Sequence, residues 1–446
     1  MSHLRYPHYR PSQLPGGPEL PTHWQEAPLK FEASWNDEVL SEDTSPDQEL
    51  LYVDISGVEA GSGIVSTAPM RFADAPSRAR RMVRSGDVIV STVRTYLRAI
   101  ARISEVPAGL VVSTGFAVLR SRGRLLPSFL GYLLSADFFT EEVVARSVGV
   151  SYPSINASDL VAIKVPSPPV PEQSAITDFL DRETSKIDAL VAEQQRLMEL
   201  LQEKRQAVIS HAVTKGLDPD RPMKTSGVEW LGDVPAHWVV TPIRRAARLE
   251  SGHTPSRQHP EYWVDCTVPW FSLADVWQIR EAKADYVSET KEKVSELGLA
   301  NSAARLLPKG TVMLSRTASV GFSAIMGVDM ATTQDFANWV CGERVQPEFL
   351  LYVLRAMQPE FRRLMMGSTH NTIYMPDIQA LRCGLPPLEE QRAIVAHIRL
   401  TTRQLDDLLE EVQKAEALLL ERRAALISAA VTGQIDVRHL AATEAA

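Results

Sequence analysis

LLQEKRQAVISHAVTKGLD, from Leu200 to Asp218, returns near the other end of the chain as LLLERRAALISAAVTGQID, from Leu418 to Asp436. Aligned without a gap, 11 of the 19 positions are identical at a constant offset of 218. The repeat extends upstream at the same offset, where PPVPEQSAITDFLDRETSKIDALV (Pro168 to Val191) matches PPLEEQRAIVAHIRLTTRQLDDLL (Pro386 to Leu409). Further back, LPSFLGYLL at 126 resembles QPEFLLYVL at 346, SGDVIVST at 85 resembles KGTVMLSR at 309, and LPTHW at 20 recurs as VPAHW at 234. There the offset drifts, so insertions and deletions balance inside variable regions. The order is variable domain, helix, variable domain, helix: an internal pseudo-dimer, since two copies are too few for a solenoid.

The repeated segments read as helices. Apolar residues at Ile176, Leu180, Ile187, Leu190, Leu197, Leu201 and Val208 alternate by three and four, as do Ile394, Ile398, Leu405, Leu408, Val412, Leu419 and Leu426. That is the spacing of a coiled-coil seam. Prolines at 168, 169 and 171, and at 386 and 387, set where each helix begins. Some 39 residues at about 1.5 Å each make a rod roughly 58 Å long. Paired antiparallel, two such rods put the variable domains at opposite ends, related by a pseudo-two-fold axis. A second stripe, Ala207, Ile209, Ala212 and Val213 with its mates Ala425, Ile427, Ala430 and Val431, is left over to dock partner subunits, two copies of each by symmetry.

The expected boundaries are 1–167 for the first variable domain, 168–215 for the first spacer helix and 216–238 for a linker. They continue with 239–385 for the second variable domain, 386–436 for the second helix and 437–446 for a tail. Each variable domain mixes short β-rich runs (VIVSTV, LVVSTGFAVL, TVMLS, DFANWV) with helical ones (FLGYLLS, FLLYVLRA), an α+β pattern carried on long polar loops.

Composition limits the function. No apolar run approaches the ~18 residues needed to span a bilayer, and MSHLRYPHYRPSQLPGG lacks a signal-peptide core. Three cysteines (Cys266, Cys341, Cys383) in no CxxC spacing give neither a disulfide framework nor a zinc site, and fit a cytoplasmic protein. The net charge of −8 argues against nucleic acid only if it is evenly spread. It is not: Arg71 to Arg124 holds 11 arginines against Asp74, Asp87 and Glu105, a local balance of +8.

Loop residues that suit DNA follow from this. In the first domain they are Arg78, Arg80, Arg81 and Arg84 in PSRARRMVRSG, Arg94, Tyr96 and Arg98 in STVRTYLR, and Ser151, Tyr152 and Asn156 in GVSYPSIN. In the second they are Ser256 and Arg257, Arg316 and Thr317, then Ser368, Thr369, His370, Asn371 and Tyr374. Arginine suits phosphates and guanine edges, and Asn suits adenine. For each residue alone a solvated surface side chain is the competing account. The cluster at 78–84 stands out because four like charges within seven residues repel unless an anion neutralises them.

Catalytic constellations are missing. The chain has no Gly-Lys-Ser/Thr phosphate loop and no GxGxxG, and PSPPV and LPPL lack the aromatic that follows paired prolines in amino-methyltransferases. Asp275 with Glu281 and Lys283 is too closely spaced for a nuclease site, and the histidines are scattered apart from His23 and His237 in matching PxHW turns. No catalytic or metal-binding residues are expected.

Taken together, these residues resemble the specificity (S) subunit of type I restriction-modification systems. The resemblance rests on the PP-x-x-EQ-x-AI helix openings at 168–176 and 386–394 and the E-[KR]-R-x-A-[VL]-IS-x-AVT endings at 203–214 and 421–432. SGVEWLGDVPAHW, STVRTYLR, STGFAVLR and SGHTPSRQHPEYW add to it. It covers nearly the whole chain, except that the first W-x-G-x-[IV]-P-x-HW motif is reduced to PELPTHW and the segment from Trp24 to Thr67 has no counterpart. The resemblance implies two target recognition domains, each reading half of a bipartite site on double-stranded DNA, separated by two long antiparallel coiled-coil helices that set the gap. It also implies two modification (methyltransferase) subunits, which hold S-adenosylmethionine and flip an adenine, with restriction-translocase subunits joining them. An orphan DNA-binding scaffold and an enzyme with unrecognised motifs are the alternatives. Neighbouring methyltransferase genes would discriminate against the first, and a lack of intrinsic methyl transfer against the second.

Overall fold

The computed structural model describes residues 5–280, 284–365 and 371–439. Contacts divide the chain into two units, Met1–Gln195 with Lys414–Ala446, and Arg196–Gln413. Both boundaries fall inside long helices, Val170–Lys215 (46 residues) and Leu388–Val431 (44 residues). At about 1.5 Å per residue these are roughly 69 and 66 Å long, more than the apolar periodicity alone predicts. Pro171 lies in the first turn of the first helix, where a missing N–H costs no hydrogen bond. The helices end against Gly216 and Gly433, both at positive φ. A Cβ at Gly433 would stand 2.6 Å from the Pro21 ring, so both the turn and its packing require glycine there.

In the first unit, Val88–Ser91 is flanked by Ile100–Arg102 and Phe116–Ser121, and Ala33–Trp35 forms the far edge, all antiparallel. A second sheet orders Ala68–Arg71, Glu49–Val53, Leu110–Ser113 and Ala79–Met82, with Glu49–Val53 parallel to Leu110–Ser113. The run LVVSTGFAVL is therefore two strands, one in each sheet. Helix Pro127–Ser135 buries Phe129, Leu130, Leu133 and Leu134 in one core with Trp24, Ile176 and Leu180. The second unit repeats the scheme. Val312–Ser315 lies between Ser323–Met326 and Phe336–Cys341, Ala247–Ser251 follows, and helix Pro347–Ala356 covers the sheet. Residues 216–238, expected to be a linker, contain the hairpin Met223–Thr225/Asp233–Pro235 and bury Leu231, Val234 and Trp238 in this unit's core.

Within each unit the two long helices lie side by side. In the first, Arg423 bonds Asp188 at 2.8 Å and Gln195 bonds Glu416 at 2.8 Å, so the helices run antiparallel there. In the second, Arg205 bonds Asp406 at 2.9 Å. Ile176, Leu180, Ile187, Leu201, Ile394, Ile398 and Val412 are buried as the spacing predicts, but Leu190, Leu197 and Leu408 are exposed. The stripe assigned to partner subunits is corrected for six of its eight residues. Ile209, Ala212 and Val213 are core of the second unit, and Ile427, Ala430 and Val431 core of the first. A side chain enclosed by its own domain presents nothing to a partner, and only Ala207 and Ala425 are exposed.

The repeated motifs meet in one contact. Glu172 faces His23 Nε2 at 2.7 Å and accepts from Trp24 Nε1 at 3.0 Å and the Tyr6 hydroxyl at 3.0 Å. Glu390 likewise faces His237 Nε2 at 2.7 Å and accepts from Trp238 Nε1 at 3.0 Å. Beside them, buried Gln173 donates to the carbonyls of Arg124 and Pro168 and accepts from the Leu126 amide. Gln391 does the same with Arg344, Pro386 and the Gln346 amide. Each Glu-Gln pair thus ties the start of a long helix to the PxHW turn and to the turn that opens the domain helix. Burial beside Glu172 pushes the Tyr6 hydroxyl well above its ordinary range, so it stays a donor.

Replacing Glu172 with Ala strands the Trp24 and Tyr6 donors in a buried site, at roughly 1–3 kcal/mol for each unsatisfied group. Glu390→Ala is expected to cost less, because that carboxylate is 29% exposed against 11% for Glu172. Thermal unfolding, with hydrogen exchange to localise the loss to the matching unit, would test the order; equal or reversed losses would refute it.

Candidate nucleic-acid interface

In both units the central strand runs directly into a loop held by a second, distant segment. After Val88–Ser91, the Arg94 amide donates to Pro153 O at 2.8 Å and the Ile155 amide to Thr92 O at 2.9 Å. After Val312–Ser315, the Ala318 amide donates to Asn371 O at 2.9 Å and the Ile373 amide to Arg316 O at 2.9 Å. The bridges Val93↔Ser154 and Thr317↔Thr372 complete the match. The structure therefore brings together STVRTYLR with GVSYPSIN in one unit and SRTAS with the segment ending in IY in the other. No local pattern in the sequence indicates either meeting.

The first loop pair is richly exposed. Arg94 and Arg98, at φ +50° and +49°, bracket a 3-10 turn at Thr95–Leu97. Buried Thr95 anchors it, its hydroxyl 2.7 Å from that of Ser147. Val148 and Ser154 exchange two backbone bonds, so the segment between them forms a projecting tip carrying Ser151 and Tyr152. The Arg94 guanidinium lies 5.0 Å over the Tyr152 ring, and Tyr96 is also exposed. Arg98 is engaged by Asp137 at 3.2 Å and Glu141 at 3.8 Å. Asn156 sits at the base of the tip, bonded to Asp159.

In the second pair, Arg316 is a brace. Its guanidinium donates to Gln334 O at 3.1 Å and Ile373 O at 3.3 Å, fixing the two segments to each other. Thr317 is half-buried beside Thr372, while Asn371 and Tyr374 are exposed. Ser368, Thr369 and His370 lie outside the described residues, as do Glu281 and Lys283. Ser256 and Arg257 belong to a separate loop, where Arg257 bonds Glu292 at 2.9 Å and stacks 4.5 Å over Trp263.

The arginine cluster at 78–84 lies on the other sheet and already has anions. Arg78 pairs with Asp54 at 2.9 Å and Tyr52 at 3.1 Å, and Arg84 with Glu38 at 2.6 Å. Arg120, which also binds Glu38 and Asp87, joins Arg84 in holding the Glu38 carboxyl below the usual carboxylate range. Arg80 lies 4.7 Å over Phe72, and half-buried Arg81, with its Nε unpartnered, has its pKa lowered by desolvation. Two of the four cluster arginines, Arg78 and Arg84, are therefore already neutralised within the chain. Residues not singled out from the sequence are Arg244, Arg245 and Arg248, which line an open depression of about 650 Å³ with Gln379. Among the described residues, Arg244 and Arg245 have no ion-pair partner; three arginines within five residues was the available signal.

Burial pushes the Cys341 and Cys383 thiols up to about 12, which keeps them protonated. Among the described residues, no three His, Cys, Asp or Glu side chains are grouped to hold a metal ion, and no helix is long and apolar enough to cross a membrane.

Comparison with known proteins finds relatives for both halves of the chain. A family model for the type I restriction modification DNA specificity domain matches residues 83–199 and 235–417, one match in each half of the chain. The putative type I restriction enzyme MjaX specificity subunit of Methanocaldococcus jannaschii is 23% identical over 362 residues, 79% of each chain. The MjaIX specificity subunit of the same organism is 27% identical over 191 residues, so the chain spans 42% of that relative's length. A solved structure from work on complex assembly and conformational transition of the type I R-M system superposes with TM-score 0.65 at 27% identity, covering 92% of this chain and 98% of that one. The HsdS subunit from Thermoanaerobacter tengcongensis shares the fold, with TM-score 0.51 at 24% identity over 94% and 99% of the two chains.

Replacing Arg78 and Arg84 together with Ala is expected to leave the log–log salt slope of DNA binding nearly unchanged, since both already neutralise carboxylates. A fall of about 1.8, two phosphate contacts at about 0.9 each, would place them on DNA instead.

Proposed function

The chain belongs to the type I restriction-modification DNA specificity family, and on that premise we propose that its two units each read one half of a bipartite site on double-stranded DNA. One observation carries the reading: the strand-to-loop joint recurs in both units, bond for bond, while its exposed side chains differ. Equal frames carrying unequal surfaces suit an asymmetric target. The reading surfaces are the loop pairs, with Arg94, Tyr96, Ser151 and Tyr152 in the first unit and Asn371 and Tyr374 in the second. Arg316, Thr317 and Asn156 position them. Arg244 and Arg245 supply phosphate contacts, which fix register without reading sequence.

Recognition belongs to this chain and chemistry to its partners. Two modification subunits, bound through the exposed faces of the long helices, carry S-adenosylmethionine and methylate one adenine in each half. Restriction-translocase subunits join the same assembly in the cytoplasm.

Methylation mapping of the host genome, with and without the gene, tests this. The expected loss is a single N6-adenine pattern with two defined halves and a fixed gap, while the purified chain alone transfers no methyl group from S-adenosylmethionine. Loss of a pattern with one continuous recognition sequence, or methyl transfer by the isolated chain, would overturn it.

A further inference from the structure

We infer that Arg94 reads a guanine in the half-site of the first unit, and that the matching position of the second unit, Ala318, makes no such hydrogen-bonded contact. The inference rests on the recognition reading above and gives it a base.

The two residues occupy the same place in the frame. Each follows a central strand, donates its amide to the facing segment, and lies at positive φ, +50° for Arg94 and +58° for Ala318. That conformation is uncommon outside glycine and persists where the surroundings enforce it. The backbone therefore holds the residue at the apex in both units, and only the side chain differs.

At the first apex the side chain is uncommitted. Arg78, Arg84 and Arg98 bind carboxylates and Arg316 binds carbonyls, whereas Arg94 has no hydrogen-bonded or ionic side-chain partner among the described residues. Its guanidinium carbon lies 5.0 Å from the centroid of the exposed Tyr152 ring, a cation–π contact that uses none of the N–H donors. A planar fork with free donors fits the O6 and N7 acceptors of guanine bidentately, which a lysine ammonium cannot do. The surroundings favour a base over a phosphate. Tyr96, Leu97, Val148 and Val150 are all exposed around the two loops, and Val150 is fully so. Such apolar groups suit base edges and thymine methyls, while the neighbouring cation, Arg98, is already neutralised.

The test uses the complex of this chain with its modification subunits and duplexes carrying the mapped site. Each guanine of the half-site assigned to the first unit is replaced in turn by 7-deazaguanine, which lacks the N7 acceptor. One replacement should weaken wild-type binding roughly tenfold, and the same replacement should leave Arg94→Ala unaffected. Because each protein is compared with itself, a general weakening of the variant does not enter. Arg94→Lys keeps the charge but loses the fork; it should retain the wild-type salt slope and lose the guanine discrimination. If Arg94→Ala shows the same 7-deazaguanine penalties as wild type, or Arg94→Lys discriminates as well as Arg, the inference is overturned. If no guanine of that half matters but other substitutions there weaken binding, the inference falls and the recognition reading stands. If no base substitution in either half matters, both fall.

Discussion

A carboxylate and an amide, adjacent at the start of each long helix, fix the rest of each unit. Gln173 and Gln391 are fully buried, and each engages two carbonyls and one amide. Left unsatisfied in that setting, a primary amide would be strongly destabilising, so the strand end, the helix opening and the long helix have one way to meet. Glu172 and Glu390 add the PxHW turn to the same junction. The domain helices Pro127–Ser135 and Pro347–Ala356 start at this junction and pack on the sheets whose central strands end in the recognition loops. The position of Arg94 or Ala318 is in this sense inherited from a glutamine.

The duplication, the helical repeats and the α+β character of the domains were legible because they are periodic or local: a seam alternates by three and four, and a strand run is β-branched. The meaning of the repeated HW and EQ dipeptides was not legible. They contact each other across about 150 residues of chain, and no local preference encodes a partner so distant. The same limit explains the misread stripe. Period alone indicates that Ile209 and Val213 face something apolar; it does not say whether that is another subunit or their own domain. The exposed Leu190, Leu197 and Leu408 show the converse, seam spacing without enclosure.

Charge was legible as a count and not as a balance. The excess between Arg71 and Arg124 is real, but Glu38 and Asp54 come from the segment between Trp24 and Thr67, for which the repeat offers no counterpart. Asp87, buried beside Arg120, belongs to the cluster's own stretch, and a charge count does not show which arginine it holds. Arginines at equal density in sequence thus differ in what they can do. Arg78 and Arg84 are stabilising ion pairs at a surface, each worth little, whereas Arg94 keeps its donors.

The frame also explains how two halves of one chain can share geometry and differ in surface. The bonds that hold each recognition loop are main chain to main chain: Arg94 to Pro153, Ile155 to Thr92, Ala318 to Asn371, Ile373 to Arg316. Such bonds are indifferent to side-chain identity, so an arginine and an alanine can occupy the same apex with the same backbone path. Side-chain bonds add supports beside them, as in Thr95 with Ser147, Arg98 with Asp137 and Arg316 with the Ile373 carbonyl. Exposed positions can therefore change without disturbing the supports, and a change at a support moves the whole loop. That separation lets one fold, duplicated once, present two unlike surfaces.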